Sequence, residues 1–254
     1  PDRSVNGNGL QVFGTVQKSP VATGADLMAY SGFSSTNYLM QPYNPDLDFG
    51  TGDFCLMGWV KVSPSYSGTD YFLSRGTHLG YALNVNAGNV AFYADGSDIS
   101  TAMPSTATWF FVCAGVRSGQ RYLSVNAGAE VNSSITTSVD EPNATLILGK
   151  YSETTAVSLN GSLALWRISA TAPTAEQIAK IYRDEKPLFQ ENAQATLHGT
   201  SDAVTALAFD QYTDLLHVGT SAGRSVFSGL QRVDNTTDAV GTAISASNGL
   251  VAEE

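Results

Sequence analysis

Short runs of alternating apolar and polar residues dominate the chain as far as Ile168. This period of two is typical of β-strands with one buried face. Turn sequences that contain Gly or Asn separate the runs, among them "NAGN" (Asn86–Asn89), "ADGSD" (Ala94–Asp98) and "RSGQ" (Arg117–Gln120). The predicted strands are Leu10–Val16, Leu27–Gly32, Tyr38–Gln41, Asp53–Val62, Tyr71–Arg75, Tyr81–Asn86, Asn89–Ala94, Trp109–Arg117, Arg121–Val125, Ala144–Gly149 and Gly161–Ile168. Many short strands at near-regular spacing predict an antiparallel sandwich or barrel.

One segment, Thr171–Phe189, has helical periodicity instead. Thr174 is a suitable N-cap, and Gln177 three residues later completes a capping box. The apolar residues that share one face are Ile178, Ile181 and Tyr182. Pro187 ends the pattern. We expect this short amphipathic helix to cover an end or an edge of the sandwich.

After the helix, the segment Ala203–Val233 predicts a three-stranded meander. Its strands are Val204–Phe209, Leu215–Thr220 and Ser225–Val233. A meander of this size does not bury both of its faces alone, so it docks on the first domain, on a copy of itself, or on a further part of a longer chain. The tail that follows is either a linker or a fourth strand at Ala239–Ser245 with a loose acidic end.

The stretch "NYLMQPYNPDLDFGTGDFCLMGWVKV" (Asn37–Val62) predicts a central strand that begins at Asp53. Both faces of that strand are apolar, as expected of a strand covered on each side. The glycines of Gly50–Gly52 set the turn before it. Cys55 lies in this strand and Cys113 in another apolar run, and we interpret them as two buried free thiols. A disulfide between them requires Cα atoms within about 7 Å, which sequence does not establish.

Charge narrows the range of partners. The chain has 254 residues, with 13 Lys and Arg against 23 Asp and Glu, and a formal net charge of −10. Binding to nucleic acid or to an anionic membrane surface requires a basic patch, so neither partner is expected. No apolar run approaches the ~20 residues of a membrane span, which argues against membrane insertion. Since the chain starts at Pro1 without Met or a signal peptide, we expect it to be part of a longer polypeptide.

Candidate catalytic motifs are missing from the sequence. Glycosidases need two facing carboxylates, but every Glu falls in a predicted turn, in the helix or in a tail. The three histidines, His78, His198 and His217, have no metal-ligand spacing, and neither a nucleophile elbow nor a P-loop occurs. The sequence therefore predicts a protein that is not an enzyme. Only 14% of residues are charged, and Ser, Thr, Asn and Gly fill the polar positions, which is typical of β-rich extracellular or virion proteins.

The ordered set of motifs from Tyr38 to Tyr182 resembles the concanavalin A-like, laminin G-like superfamily. The matching pieces are "NYLMQPYNPDLDFGTGDFCLMGWVKV", "YALNVNAGNVAFYADG", "TWFFVCAGVRSGQRYLSVNAG" and "LILGK … LNGSLALWRIS". The resemblance implies an all-β fold, an antiparallel jelly-roll β-sandwich with one short C-terminal helix, followed by a small β-meander region. The expected domains are an N-terminal strand or linker at 1–24, the laminin G-like sandwich at 25–188, and the meander with a flexible acidic tail at 189–254.

A lectin-like fold implies a site in which aromatic faces stack on sugars beside Asp and Asn side chains. The candidate ligand-binding residues are Tyr43, Tyr66, Asp70, Tyr71, Tyr93, Asp95 and Asp98, with Trp109 and Tyr151 as further aromatic candidates. Taken alone, each of them is better explained by core or rim packing.

Relatives in this superfamily also hold calcium at the sandwich rim, so the resemblance requires no cofactor but allows a structural calcium ion. The candidate ligands are Asp46, Asp48 and Asp53, and "ADGSD" offers Asp95 and Asp98. Calcium needs six to eight oxygen ligands at about 2.3–2.6 Å. Turn and cap hydrogen bonds at Asp46 and Asp98 are the alternative.

The segment "PTAEQIAKIYRDEKPLFQENAQATL" resembles tailed-bacteriophage structural proteins, and "ALAFDQYTDLLHVGTSAGRSVF" resembles one β-propeller blade. These resemblances imply a virion adhesion protein, a tail-fibre or receptor-binding component that presents the sandwich to a host-cell surface glycan or protein. Other virion proteins are further expected partners, a homotrimer is the favoured oligomer, and assembly would take place in the host bacterial cytoplasm. The alternatives are a glycan-degrading enzyme of the same fold and a secreted carbohydrate-binding or matrix module.

Overall fold

The computed structural model forms two compact units, which we describe separately. Unit 1 contains Pro1–Ser19 and Met28–Arg183, and unit 2 contains Pro20–Leu27 and Asp184–Glu254. The structure describes residues 9–66, 68–76, 79–152, 156–191, 193, 204–220, 223–229, 231–236, 244–247 and 250–253. Among these residues, no helix is long and apolar enough to cross a membrane.

Twenty strands and one α-helix are formed by the described residues. The strands are β1 (Gln11–Phe13), β2 (Gln17–Pro20), β3 (Met28–Ser31), β4 (Tyr38–Gln41), β5 (Phe54–Val62), β6 (Thr69–Arg75), β7 (Tyr81–Asn86), β8 (Asn89–Ala94), β9 (Ser97–Ala102), β10 (Trp109–Arg117), β11 (Gln120–Val125), β12 (Val131–Ser134), β13 (Leu146–Leu148), β14 (Gly161–Ser169), β15 (Val204–Asp210), β16 (Leu215–Thr220), β17 (Gly223–Ser228), β18 (Gln231–Thr236), β19 (Ile244–Ser247) and β20 (Leu250–Glu253). Helix α1 is Ala175–Glu185, and 3₁₀ turns occur at Pro45–Leu47 and Lys186–Phe189.

Two seven-stranded antiparallel sheets form the sandwich of unit 1. Sheet A has the order β1-β4-β13-β6-β7-β8-β9, and sheet B has the order β12-β11-β10-β5-β14-β3-β2. One apolar cluster, with members from both sheets, forms the core between them. The predicted all-β sandwich with a single short helix is therefore confirmed. The predicted central strand is β5, which pairs with β10 on one side and β14 on the other.

A β-bulge in β14 places a large aromatic ring in this core. The register between β14 and β5 shifts between Ala164 and Arg167, and Leu165 has a positive φ of 51°. The Trp166 ring consequently lies against Gly58 of β5, where an added Cβ would be 2.6 Å from the ring. Glycine at this position is required because the ring occupies the space of a side chain.

Helix α1 begins as the sequence predicts. The backbone N–H of Thr174 donates to Oε1 of Gln177 at 2.8 Å, and the Gln177 N–H donates to Oγ1 of Thr174 at 3.3 Å. The expected position at an end or edge of the sandwich is wrong, because Tyr182 stacks on Trp59 and contacts Phe111, with ring centroids 5.6 and 6.2 Å apart. Trp59 and Phe111 point away from the core, so the helix packs on the outer face of sheet B.

In unit 2, β15 to β18 form a four-stranded antiparallel meander, and β19 pairs with β20. The run Ser225–Val233, predicted as one strand, is two strands, because Gly229 takes a positive φ of 58° and reverses the chain between β17 and β18. Most of the predicted fourth strand, Ala239–Ser245, lies outside the described residues.

Candidate functional site

The candidate site lies on the side of sheet A that faces away from the core. Side chains of a β-strand point alternately to its two faces. In β7, Leu83 and Val85 belong to the core, so Ala82 and Asn84 point outward. Strand pairing extends this surface across the sheet. The outward residues, which we call the outer face of sheet A, are Phe13, Tyr38, Met40, Tyr71, Ser74, Ala82, Asn84, Ala91, Tyr93, Asp98, Ser100 and Ile147.

Three predicted site residues meet on this face. Tyr71 pairs with Asn84 across β6 and β7, and Tyr93 pairs with Asp98 across β8 and β9. The ring of Tyr151, from the loop after β13, packs on Tyr71 with centroids 4.4 Å apart. Aromatic rings thus flank a floor of small side chains, among them Ala82 and Ala91, both of which are buried.

A buried amide lies between the two tyrosines. The Asn84 side chain has no exposed surface, and neither its Nδ2 nor its Oδ1 has a hydrogen-bond partner among the described residues. Burial raises the pKa of Tyr71 to about 12, and burial followed by the Asp98 charge raises the pKa of Tyr93. The Asn84 side chain instead lowers the pKa of both tyrosines. Its amide therefore lies beside the two hydroxyls, although not in good hydrogen-bonding geometry.

A second aromatic group lies towards the other edge of the same face. Phe13 and Tyr38 stack with centroids 4.7 Å apart. Nζ of Lys150 lies 4.6 Å from the centre of the Tyr38 ring and donates to the Ser35 carbonyl at 3.0 Å. The outer face of sheet A therefore combines two aromatic groups with polar atoms and one buried lysine, the chemistry of a surface that stacks on sugar rings and binds their hydroxyls.

Two predicted aspartates instead hold loops in place. Asp70 is buried and accepts the Asn160 N–H at 2.7 Å, and burial raises its pKa while that N–H lowers it. Asp95 accepts the N–H groups of Thr136 and Thr137 at 3.1 and 3.2 Å. The structure does not bring Asp70 or Asp95 to the outer face of sheet A.

The remaining aromatic candidates are also dispersed. Tyr43 lies exposed in the loop after β4 and donates to Asp48 at 2.8 Å. Tyr66 packs against the core, and the ring of Trp109 lies under Nζ of Lys61 at 5.4 Å.

The three aspartates of the predicted calcium site have different surroundings. Asp46 lies in the exposed 3₁₀ turn, and Asp48 forms an ion pair with the fully buried Arg75. Asp53 accepts the Ser118 N–H at 2.8 Å and so fixes the β10–β11 turn. Within the described part of the chain, no group of three or more His, Cys, Asp or Glu could hold a metal ion. Calcium binding stays a prediction.

Sequence reasoning did not select Asn84, the most deeply buried polar group of the site. The signal was present in "YALNVN", where strict alternation leaves Asn84 as a polar residue on the face opposite Leu83 and Val85.

Comparisons with known proteins agree with this fold. The binding domain of Paraclostridial Mosquitocidal Protein 1 superposes with a TM-score of 0.60 at 15% identity, over 95% of this chain and 65% of that one. The receptor binding domain of botulinum neurotoxin C/D mosaic serotype gives 0.54 at 14% identity, over 90% and 59%. The chain thus spans less than two thirds of either toxin domain.

A third similar structure is domain 4 of AbnA, a GH43 extracellular arabinanase from Geobacillus stearothermophilus, in complex with arabinotriose. Its TM-score is 0.52 at 16% identity, over 68% of this chain and 87% of that one. No curated protein sequence matches the chain significantly. A family model, however, matches residues 33–179, more than half of the chain. The chain therefore belongs to the concanavalin A-like lectin/glucanases superfamily.

Proposed function

We propose that this protein is a carbohydrate-binding protein and that its ligand lies across the outer face of sheet A. The observation that carries the proposal is the group formed by Tyr71, Tyr93 and Tyr151 around the buried amide of Asn84, which has no hydrogen-bond partner in good geometry among the described residues. Aromatic faces bind the apolar faces of sugars, and amide and carboxylate groups bind the hydroxyls. Burying an unpaired amide costs about 1–3 kcal/mol, a cost that a ligand hydroxyl or water can offset.

Two of the similar structures support a binding role. One is described as a receptor binding domain, and the arabinanase domain was solved with a bound oligosaccharide. The partner expected here is accordingly a host-cell surface glycan, or a glycosylated protein that carries it. Because the chain is strongly acidic, a neutral glycan is favoured over an anionic one.

A glycan array followed by calorimetry tests the proposal. Tyr93→Ala and Tyr151→Ala should each weaken binding by about two- to tenfold, since an aromatic contact contributes about 0.5–1.5 kcal/mol beyond its buried area. Tyr43→Ala, at an exposed aromatic residue away from this face, is the matched control. Unchanged affinity in both site variants, with the protein still folded, would contradict the proposed site.

The same array with EDTA tests the calcium prediction. Binding that is lost with EDTA and restored by calcium would support a calcium ion held by Asp46, Asp48 or Asp53. Binding that is insensitive to EDTA would remove calcium from the mechanism.

We further propose that the binding serves adhesion of a bacteriophage particle, as part of a tail fibre or receptor-binding component assembled in the host cytoplasm. The low share of charged residues, the abundant Ser, Thr and Asn, and the phage-like segment after the helix support this setting. An antibody against the protein should label purified virions, and light scattering should report a trimer. A monomer at high concentration would count against the fibre role.

Glycan degradation is the competing function in this superfamily, and it requires two facing carboxylates. Incubating the protein with any oligosaccharide that it binds should leave that oligosaccharide intact. Release of shorter products would replace the binding proposal by an enzymatic one.

A further inference from the structure

Two thiols meet on the outer face of sheet B. Cys55 of β5 and Cys113 of β10 are both free and fully buried, and their Sγ atoms are 3.4 Å apart. Gly115 stands opposite Cys55 in the register of these strands, and a Cβ at this position would lie 2.0 Å from the Phe54 carbonyl oxygen, so the close approach of β10 to β5 requires glycine here. The contact is independent of the proposed glycan site, which lies on the other sheet.

The surroundings of the pair favour a thiolate on one of the two sulfurs. The contact with Cys113 lowers the pKa of Cys55 more than burial raises it, and the Arg167 and Arg117 charges act in the same direction as the contact. The Tyr122 hydroxyl lies 4.0 Å from Sγ of Cys113, and the Arg117 guanidinium lies over the Tyr122 ring at 4.6 Å. A thiolate is the reactive form of cysteine.

A cavity lies beside this region of sheet B. It lies between α1 and the outer face of sheet B, has a volume of about 470 Å³, and is lined in part by Met57, Ser169, Gln177 and Lys180. Ser169 is the register partner of Cys55 in β14. The register partners of both cysteines, Ser169 for Cys55 and Met57 for Cys113, therefore line this cavity.

We propose that Cys55 and Cys113 are an oxidative modification site at which hydrogen peroxide forms an intrachain disulfide. The Cys55 thiolate attacks one peroxide oxygen, so that an S–O bond forms and the O–O bond breaks. The departing hydroxide takes up the proton lost by Cys55, which gives a sulfenic acid and one water. The Cys113 sulfur then attacks the Cys55 sulfur, and hydroxide leaves with the Cys113 proton as a second water. Two thiols and one peroxide thus give one disulfide and two waters.

The disulfide would fasten the two central strands of sheet B beneath the helix. Residues 55 and 113 are 58 positions apart, so the bond would close a long loop. The oxidised protein should unfold at a higher temperature than the reduced protein, and dithiothreitol should reverse the shift.

The test is to treat the folded, full-length protein with hydrogen peroxide and then to titrate thiols after unfolding. Both thiols should disappear together, and a non-reducing peptide map should contain the Cys55 and Cys113 peptides joined within one chain, lighter by two hydrogen atoms. Survival of both thiols, or their conversion to sulfinic and sulfonic acids without a linked peptide, would overturn the proposal.

Single variants test the order of attack. In Cys113→Ser, whose hydroxyl keeps a hydrogen-bond donor beside Cys55, dimedone should trap the sulfenic acid on Cys55, whereas in Cys55→Ser it should label Cys113 at least several-fold more slowly. Equal labelling of the two variants would refute the assignment of Cys55 as the attacked thiol. Cys55→Ala/Cys113→Ala, which has no thiol, is the control whose melting temperature peroxide should not raise.

Discussion

Replacing Asp48 or its partner Arg75 tests how the sandwich holds a buried charge. The Arg75 side chain has no exposed surface, and its Nε and Nη1 have no partner among the described residues. The Asp48 carboxylate, 21% exposed, is the ion-pair partner of Arg75 and also accepts the Tyr43 hydroxyl. The two ends of the pair are therefore unequal, because water reaches the carboxylate but not the guanidinium.

This difference in exposure predicts that substitutions of Asp48 and of Arg75 destabilise the sandwich by different amounts. Asp48→Ala leaves a buried guanidinium without its counter-charge, and removing one partner of a buried pair costs about 3–5 kcal/mol. Arg75→Met leaves a carboxylate that water and the Tyr43 hydroxyl still solvate, and a linear apolar side chain fills the space, so the expected change is below about 1.5 kcal/mol. Asp48→Ala/Arg75→Met should recover most of the loss caused by Asp48→Ala.

Thermal and urea unfolding followed by tryptophan fluorescence provide the measurement. All three tryptophans lie in unit 1, so the signal reports the sandwich. Asp48→Ala should lower the melting temperature by roughly 6–20 °C, which is the expected loss divided by the unfolding entropy of a chain of this size. If Arg75→Met destabilises as much as Asp48→Ala, the reasoning is refuted, because the guanidinium would then contribute through packing and not through its charge.

Three further substitutions test the packing described above. Gly58→Ala should lower the free energy of unfolding by at least about 1–3 kcal/mol, since the new methyl group meets the Trp166 ring. Tyr182→Ala should cost about 1–3 kcal/mol through its two lost aromatic contacts. Burial raises the pKa of Asp70 in the folded protein above its unfolded value of about 3.9. Because the folded state then holds this proton more tightly, the wild type loses stability as the pH rises from the unfolded pKa to the folded pKa. Asp70→Asn keeps an oxygen for the Asn160 N–H and should remove this loss, as urea midpoints measured from acid to neutral pH would show.

Matched controls separate these effects from general sensitivity. Gly9→Ala places a methyl group in open space and should be neutral. Tyr212→Ala removes a ring that is 90% exposed and should leave the stability of the sandwich unchanged. A control that destabilises as much as its test variant would contradict the packing argument behind that prediction.

Apolar runs bounded by turn residues predict several strands with accurate bounds, because a strand that is covered on both faces requires apolar side chains on each. Tyr81–Asn86, Asn89–Ala94 and Trp109–Arg117 match β7, β8 and β10. The short strands β2, β9 and β12 were missed since "QKSP", "SDISTA" and "VNSS" are polar. Each of the three stands at the edge of a sheet, where one neighbouring strand supplies the hydrogen bonds and little burial is needed.

The site was predictable only in part, because residue type is visible in the sequence and strand pairing is not. Tyr71, Tyr93 and Asp98 were selected as an aromatic and acidic set, and the pairing of β6 to β9 brings them onto one face. Tyr43 and Asp95 have the same chemistry, but they lie in loops away from this face. There Tyr43 donates to Asp48, and Asp95 accepts the Thr136 N–H. Choosing between the two groups required the register, which depends on contacts distant in sequence.

The two outer faces of the sandwich differ in composition, and helix α1 packs on the apolar one, that of sheet B. Trp59, Phe111 and Cys113 make the outer face of sheet B apolar, and Tyr182 of α1 packs on it. That face is consequently part of the folded core, where the buried thiols lie. The outer face of sheet A has instead small and polar side chains beneath tyrosines, and among the described residues the Asn84 amide has no hydrogen-bond partner in good geometry. The outer face of sheet A, and not that of sheet B, is therefore where we propose that the ligand binds.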